Sequence, residues 1–153
     1  MTKRLLLSLM LTLAPATAAH TYGQESMLKD TTESKFKVGQ VWSYKTRPDE
    51  KDSTFIVLKV ESYPERGNIV HVSLRGLRLK KPNGDYISEV AHMPFSEEAL
   101  AKSAVKLLRE KEKLPDFKEG YDMWREAFDA KKAGVWTVSL AEGVEAMEKI
   151  LNQ

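Results

Sequence analysis

Cysteine is absent from all 153 residues of the chain. Without a thiol, the protein can form no disulfide, offer no thiolate nucleophile and build none of the zinc sites that depend on thiolate ligands. A chain free of cysteine suits an oxidising compartment, where an unpaired thiol is a liability. The absence therefore excludes thiol chemistry and is compatible with an exported protein.

Motifs that carry catalysis are also missing. The chain has no glycine-rich phosphate loop, no calcium-binding loop and no G-x-S-x-G turn, which would expose a nucleophilic serine. Its three histidines are His20, His71 and His92, and two histidines in the body of a chain are a poor zinc site. We therefore predict no metal site and no cofactor, and the sequence favours a non-enzymatic protein.

Long hydrophobic runs are lacking as well. The apolar run over residues 5–13 has about nine residues, whereas a bilayer-spanning helix needs about twenty. It follows Lys3 and Arg4 and precedes small residues at positions 14–19, an order typical of a bacterial secretory signal peptide. We predict that residues 1–19 are a signal peptide cleaved after Ala18 or Ala19. The mature protein is then expected in the periplasm or outside the cell, with no membrane insertion.

Neither sign of charge dominates the chain. The formal net charge is +2, but Lys3 and Arg4 belong to the predicted leader. Without them the 24 basic residues fall to 22, which equals the number of acidic residues. A nucleic-acid-binding protein carries a clear basic excess, so that class is excluded.

The remainder of the chain has the length of one domain. Residues 20–35 are polar and show no clear period, which is typical of a flexible tether. Residues 36–153 are predicted to form a single α+β domain. We expect an antiparallel sheet of four or five strands, or a half-open small barrel, followed by three helices.

The first half of this domain reads as four antiparallel strands. Alternation is clearest where Val70, Val72 and Leu74 share one face and His71 and Ser73 share the other. The four strands are predicted over residues 40–46, 54–60, 69–75 and 86–92.

Two local signals predict where this sheet bends and turns. After Gly76 the apolar residues change phase, with Leu77 and Leu79 now in the inward positions, which predicts a bulge or sharp bend at the glycine. The sequence PNGD at residues 82–85 predicts a hairpin, because Asn-Gly accepts the positive φ angles of a tight turn.

The second half of the domain reads mostly as helix. Ser96 is predicted to cap a first helix that runs into the charged sequence REKEK at residues 109–113 and ends before Pro115. Residues 135–138 predict a fifth short strand. Ser139 and Glu142 form a capping box that opens the last helix. The inward stripe of the first helix is predicted to be Leu100, Ala104, Leu107 and Leu108.

A second helix is predicted over residues 117–132. Its aromatic residues recur at helical spacing and so lie on one face. Such a stripe is more typical of a helix packed on a sheet than of a ligand groove, which is the alternative interpretation. The stripe consists of Phe117, Tyr121, Trp124 and Phe128.

Aromatic residues beside an arginine form the first candidate site. Trp42, Tyr44 and Arg47 lie on or next to one strand, and rings next to a guanidinium can bind a carboxylate, a sugar or a loop of a partner. The alternative interpretation places Trp42 and Tyr44 in the core and pairs Arg47 with Asp49 or Glu50.

His71 is the second candidate. Glu61 is predicted to lie across the hairpin from it and Ser73 to share its face, and such a set suggests a small periplasmic hydrolase. Neighbours on a flat strand rarely reach triad geometry, so a solvated polar sheet face is the favoured interpretation. We keep His71 as a ligand- or partner-binding residue.

His20 is the third candidate. Cleavage after Ala19 would leave it as the first residue, with an amine and an imidazole that can chelate Cu(II). His71 or His92 would supply a further nitrogen ligand. A copper-binding protein is therefore a second alternative.

The sequences GQVWSYKTRPDEKDST, HMPFSEEAL and YDMWREAF resemble those of an uncharacterised family of small bacterial proteins that carries a GQVWxYKTRP-type motif. The resemblance covers most of the chain after the leader. It implies a bacterial origin and a single domain, and it implies no site residues.

Export, one compact domain, balanced charge and the lack of a catalytic set together predict a periplasmic, non-enzymatic binding protein. Its partner would be a protein, as for an inhibitor, an immunity protein or an envelope accessory factor, or else a cell-wall ligand. We expect a monomer or a weak dimer.

Overall fold

A computed structural model describes residues 26–153 of the chain. The predicted signal peptide, its cleavage site and the candidate copper ligand His20 lie outside the described residues. Within them, no helix is long and apolar enough to cross a membrane.

The centre of the fold is an open antiparallel sheet of six strands. The strand order is β5-β4-β3-β2-β6, and the short β1 pairs with β3 on the same edge as β2, further along the strand. The sequence predicted four or five strands, so β1 and β6 extend the predicted sheet. The strands are β1 (Lys29–Asp30), β2 (Val41–Tyr44), β3 (Thr54–Tyr63), β4 (Gly67–Lys80), β5 (Tyr86–Ser96) and β6 (Ala104–Arg109).

Three helices complete the described part of the chain, and the predicted α+β class is confirmed. The first helix lies between β5 and β6 rather than after the whole sheet. The helices are α1 (Glu97–Ser103), α2 (Lys118–Asp129) and α3 (Leu140–Leu151), and a 3₁₀ turn, Pro48–Glu50, joins β2 to β3.

Helices cover both faces of the sheet. On one face, Leu100 of α1 and Leu140 and Val144 of α3 belong to the main core, together with the strand residues Val70 and Val72. On the opposite face α2 packs through two smaller apolar clusters, one around Phe128 and one that includes Phe117 just before the helix. The aromatic stripe of the second predicted helix therefore forms a packing seam on the sheet.

A register shift in β3 decides which of its side chains face α2. The shift lies between Val57 and Lys59, so the alternation of the strand changes phase there. Phe55, Val57 and Val60 all join the main core. As a result Lys59 and Glu61 lie on the α2 face. Regular alternation from Phe55 would instead have placed both side chains against the main core.

The turn signals of the sheet are confirmed. Gly76 has a φ of +75°, and the register between β4 and β5 shifts between Arg75 and Leu79, as the change of phase predicts. The PNGD sequence joins β4 to β5, with Gly84 at a φ of +89°. The caps predicted at Ser96 and Ser139 are also present.

The first helix is shorter than predicted. It ends at Ser103, and the following residues form β6, which pairs with β2. The assignment of Leu107 and Leu108 to an inward helical stripe was therefore wrong, and Leu108 is 41% exposed and Val105 is 62% exposed. Pairing with β2, more than 60 residues earlier, overrides the local preference for helix.

Two further segments differ from prediction. The described part of the segment predicted as a tether lies on the domain, since Leu28 is buried and β1 pairs with β3. Residues 135–138 do not form a strand. Trp136 makes a single parallel bridge with Phe95, and the backbone amide of Ser96 donates to the Trp136 carbonyl.

Candidate functional site

The structure separates the first set of candidate residues. Tyr44 is buried in the main core, and its hydroxyl lies 2.7 Å from Ser53 Oγ. Burial raises the pKa of Tyr44 to about 12. Trp42 packs at the margin of the same core, with its ring edge-on to Phe36 at 5.5 Å. Both rings thus contribute to the core rather than to an open cleft.

Arg47 is held by two carboxylates. Its Nη2 and Nε atoms donate to Glu50 at 2.6 and 3.0 Å, which is bidentate geometry. Its Nη1 atom lies 3.4 Å from Glu148 of α3. The carboxylate of Glu50 is buried, so this ion pair ties the 3₁₀ turn into the fold.

These side chains complete the edge of β4. Strand β3 begins at Thr54, opposite Arg75, so the later residues of β4 have no neighbouring strand on that side. Their backbone groups find side-chain partners instead. The Arg78 amide donates to Glu50, Arg47 donates to the Arg78 carbonyl, the Lys80 amide donates to Glu148, and Asn152 donates to the Lys80 carbonyl.

A cleft of about 310 Å³ opens above this edge. Tyr86 lies opposite Lys80 in the β4–β5 register and is 52% exposed. The Arg78 guanidinium lies 4.8 Å from the centre of the Tyr86 ring, in cation–π geometry. Among residues 26–153, no carboxylate lies within 4.0 Å of the Arg78 guanidinium or the Lys80 ammonium. The remaining lining residues are Arg47, Pro48, Asp49, Glu50 and Glu148.

His71 lies at the centre of a second, buried cluster. Its side chain is 0% exposed, because α2 covers the sheet face that was predicted to be solvated. The solvated-face interpretation of His71 and Ser73 was therefore wrong. His71 Nε2 lies 2.9 Å from Glu61 Oε2, and His71 Nδ1 lies 2.9 Å from His92 Nε2.

The hydrogen bonds determine which ring atoms carry protons. An ionised Glu61 can only accept, so His71 Nε2 donates to it. His71 Nδ1 is then an acceptor and receives the proton of His92 Nε2. This series of hydrogen bonds leaves Nδ1 of His92 as the ring nitrogen that can take up a further proton.

Helix α2 closes the cluster from above. The Tyr121 hydroxyl donates to Glu61 Oε1 at 2.7 Å, and Arg125 Nη1 donates to the same oxygen at 2.9 Å. The Trp124 ring lies edge-on to His71 at 4.8 Å. Glu61 is only 2% exposed, and its carboxylate is the shared acceptor of three side chains from two elements, His71 of β4 and Tyr121 and Arg125 of α2.

The electrostatics of the cluster follow from burial and pairing. Burial opposes the charge on Glu61, yet hydrogen bonds from His71 and Tyr121 hold the pKa of Glu61 below its ordinary value. Burial lowers the pKa of His71 despite the adjacent carboxylate. Burial and the nearby His71 lower the pKa of His92 to about 4. At neutral pH both imidazoles are uncharged.

The triad required by the hydrolase alternative is only half assembled. The Glu61–His71 hydrogen bond is present, but Ser73 Oγ donates to the Val90 carbonyl and makes no bond to His71. Both nitrogens of His71 are engaged, and no solvent reaches the ring. Within residues 26–153, no group of three or more potential ligand side chains is arranged to hold a metal ion.

Sequence reasoning missed several residues of both clusters. Arg78 and Lys80 could have been found by continuing the alternation of β4 beyond the predicted bend at Gly76, because they then face away from Leu77 and Leu79, and Tyr86 lies opposite Lys80 across the hairpin. Arg125 carries no such signal, since it joins Glu61 from a position 64 residues later in the chain.

The arrangement of strands and helices defines the protein as an α+β domain with a six-stranded open sheet. Comparisons with protein-family models, with curated proteins and with solved structures found no match.

Proposed function

We propose that this chain is an exported, non-enzymatic binding protein, and that the cleft beside the β4–β5 hairpin receives a carboxylate-bearing segment of a protein partner. The observation that carries the proposal is the arrangement of Arg78, Lys80 and Tyr86. Two cations whose side chains form no ion pair within residues 26–153 flank an exposed aromatic ring, on an edge whose backbone amides already donate to Glu50 and Glu148.

The chemistry of these side chains suits a protein ligand. Arginine and tyrosine are enriched among residues that contribute most to binding energy at interfaces. A guanidinium binds a carboxylate in bidentate fashion, and a second cation two residues along the strand adds attraction and a faster encounter. Of the three carboxylates that line the cleft, Glu50 and Glu148 are already paired with Arg47.

Arg47 keeps a role in this proposal, although an indirect one. It pairs with Glu50 and Glu148 and so holds the β4 edge in place under the cleft. A ligand would meet Arg78 and Lys80 before it met Arg47. The residue is therefore a positioning residue for the binding surface.

The hydrolase alternative rests on the Glu61–His71 hydrogen bond alone. A substrate would have to displace α2 before it could reach His71. The binding proposal therefore expects that replacement of His71 affects folding stability and leaves the partner contact at the cleft unchanged.

Site-specific photo-cross-linking tests the proposed surface. A photo-reactive residue is placed at Tyr86 in the full-length protein, which is expressed with its leader in bacterial cells. The matched control position is Met123 on α2, which is 67% exposed. We expect a discrete adduct with a protein from position 86 and none from position 123.

Charge reversal then tests whether the adduct depends on the two cations of the cleft or only on the partner being close to position 86. The double variant R78E/K80E should abolish the adduct, whereas K106E/K113E, which reverses two exposed cations elsewhere, should leave it intact. Equal adducts from positions 86 and 123, or an adduct that survives R78E/K80E, would contradict the proposal.

A further inference from the structure

The attachment of α2 to the sheet depends on few buried groups. Phe128, which is 8% exposed, is the only buried residue of this helix. The rest of its contact surface consists of half-buried aromatic rings and of the hydrogen bonds that Tyr121 and Arg125 make to Glu61. An element with little buried apolar surface opens more easily than the whole fold.

His92 lies directly under this helix. A Cβ atom added at Gly120 would approach His92 Cβ to 3.2 Å, so the helix backbone is already seated against the ring. Tyr121 and Trp124 lie 5.9 and 6.0 Å from the imidazole centre. Full hydration of His92 and His71 therefore requires α2 to move.

We infer that the His71–His92 pair is an acid-operated latch that holds α2 on the sheet at neutral pH and releases it when the pair takes up a proton. This inference is independent of the ligand cleft, which lies on a different part of the fold. The latch would connect the acidity of the surroundings to exposure of the sheet face under α2.

Burial of the pair, and not a surplus of positive charge, explains why a proton favours the open state. From β3, Glu61 and Lys59 face it, and from α2, Arg125 does. His92 bonds to His71 and not to Glu61, so the buried carboxylate does not pair directly with a proton on His92.

Two flanking carboxylates offset the charges of these cations. Asp30 of β1 pairs with Lys59, and Asp129 pairs with Arg125. Tyr121, whose hydroxyl bonds to Glu61, is neutral, because burial and Glu61 raise its pKa. With α2 displaced, His92 and His71 meet water and can be protonated freely.

Amide hydrogen exchange resolved by segment tests the latch in the folded, full-length domain. Protection of residues 118–129 is compared with protection of residues 140–151 between pH 7 and pH 4.5, after correction for intrinsic exchange rates. We expect protection of α2 to fall by some tens of fold, because the open state then gains a proton that the closed state resists. Protection of α3 should change less than threefold.

Two variants assign the effect to the histidine pair. H92Q keeps a donor toward His71 but cannot titrate, and its loss of α2 protection should be at least fivefold smaller than that of the wild type. E98Q removes a fully exposed titratable group from α1 and should behave as the wild type. A parallel loss of protection in α2 and α3, or an unchanged response in H92Q, would overturn the inference. Should H92Q fail to fold, the comparison of α2 with α3 in the wild type decides alone.

Discussion

At the scale of single residues, Glu61 organises the face of the sheet that α2 covers. Its two oxygens accept from His71 on one side and from Tyr121 and Arg125 on the other. No buried side-chain polar atom in the described residues lacks a partner. A carboxylate this deep is tolerated only because each of its neighbours donates to it.

Replacement of Glu61 by glutamine should therefore be strongly destabilising. The amide keeps the size of the side chain but removes the charge that Arg125 and Lys59 face, and its NH₂ group cannot accept from a donor. We expect the free energy of unfolding to fall by about 3 kcal/mol at pH 7, the scale measured for breaking buried ion pairs. Urea titration measures it.

The matched control for Glu61 is E98Q. Glu98 also has a lysine partner, Lys102, but that pair is fully exposed on α1. Its loss should leave the free energy of unfolding close to that of the wild type, because a solvent-exposed ion pair contributes little to stability. Equal effects of E61Q and E98Q would show that the buried network contributes little to stability.

At the scale of elements, the bulge at Gly76 redirects β4 so that Leu77 and Leu79 continue the main core. Gly76 and Gly84 have similar positive φ angles, but their surroundings differ. A Cβ atom at Gly76 would lie 3.1 Å from Ser53 Cα, whereas nothing lies within 4 Å of a Cβ atom at Gly84. A comparison of substitutions at Gly76 and Gly84 therefore distinguishes the cost of backbone strain from the cost of a steric clash.

Alanine at each glycine measures that difference. Gly84→Ala should cost about 1 kcal/mol, the conformational penalty of a left-handed alanine. Gly76→Ala carries the same penalty and must also displace the backbone at Ser53, so its cost should exceed that of Gly84→Ala by at least about 1 kcal/mol. Thermal and urea unfolding of the two variants should be compared under identical conditions. Equal costs would mean that the bulge relaxes freely.

Elements set by local signals were predictable, and those set by distant partners were not. The phase change at Gly76, the Asn-Gly hairpin and the Ser139 capping box each follow from a few adjacent residues. Strand β6 was predicted as helix because its local pattern suits a helix and only its pairing with β2 makes it a strand.

The same reasoning explains what the sequence revealed of the two clusters. Alternation places His71 on the face opposite Val70 and Val72, which is correct, but it gives no indication that a helix more than 40 residues later covers that face. Glu61 was expected near His71, and its contact with that residue is present. Its contacts with Tyr121 and Arg125 depend on tertiary packing, which no spacing in the sequence encodes.

At the scale of the whole molecule, the buried His71 and the half-buried His92 make stability depend on pH. The pKa of His92 is about 4 in the folded chain, against about 6.5 for an unperturbed histidine, and that of His71 is lowered too. Above pH 6.5 neither state binds the proton, so there is no penalty. As the pH falls from 6.5 toward 4, the unfolded chain takes up protons that the folded chain resists, and the folded state loses stability.

Glu61 extends this loss to lower pH. Its pKa is lowered in the folded chain, so its contribution to stability is present above the unfolded value of 4.5 and is lost as the pH falls through the folded value. The histidines and the carboxylate thus act in the same direction, and the free energy of unfolding should decrease continuously on acidification.

The wild-type free energy of unfolding should fall by about 1.4 kcal/mol per pH unit for each affected histidine in the steep part of this range. In H92Q the contribution of His92 to this slope disappears and only that of His71 remains. The free energy of unfolding should therefore change less steeply between pH 6 and pH 4.5, while its slope below pH 4 is kept. Urea titrations at half-unit pH intervals measure both slopes. A wild-type stability that is flat from pH 7 to pH 4.5 would mean that the folded chain takes up these protons as readily as the unfolded chain, and that packing under α2 does not disfavour them.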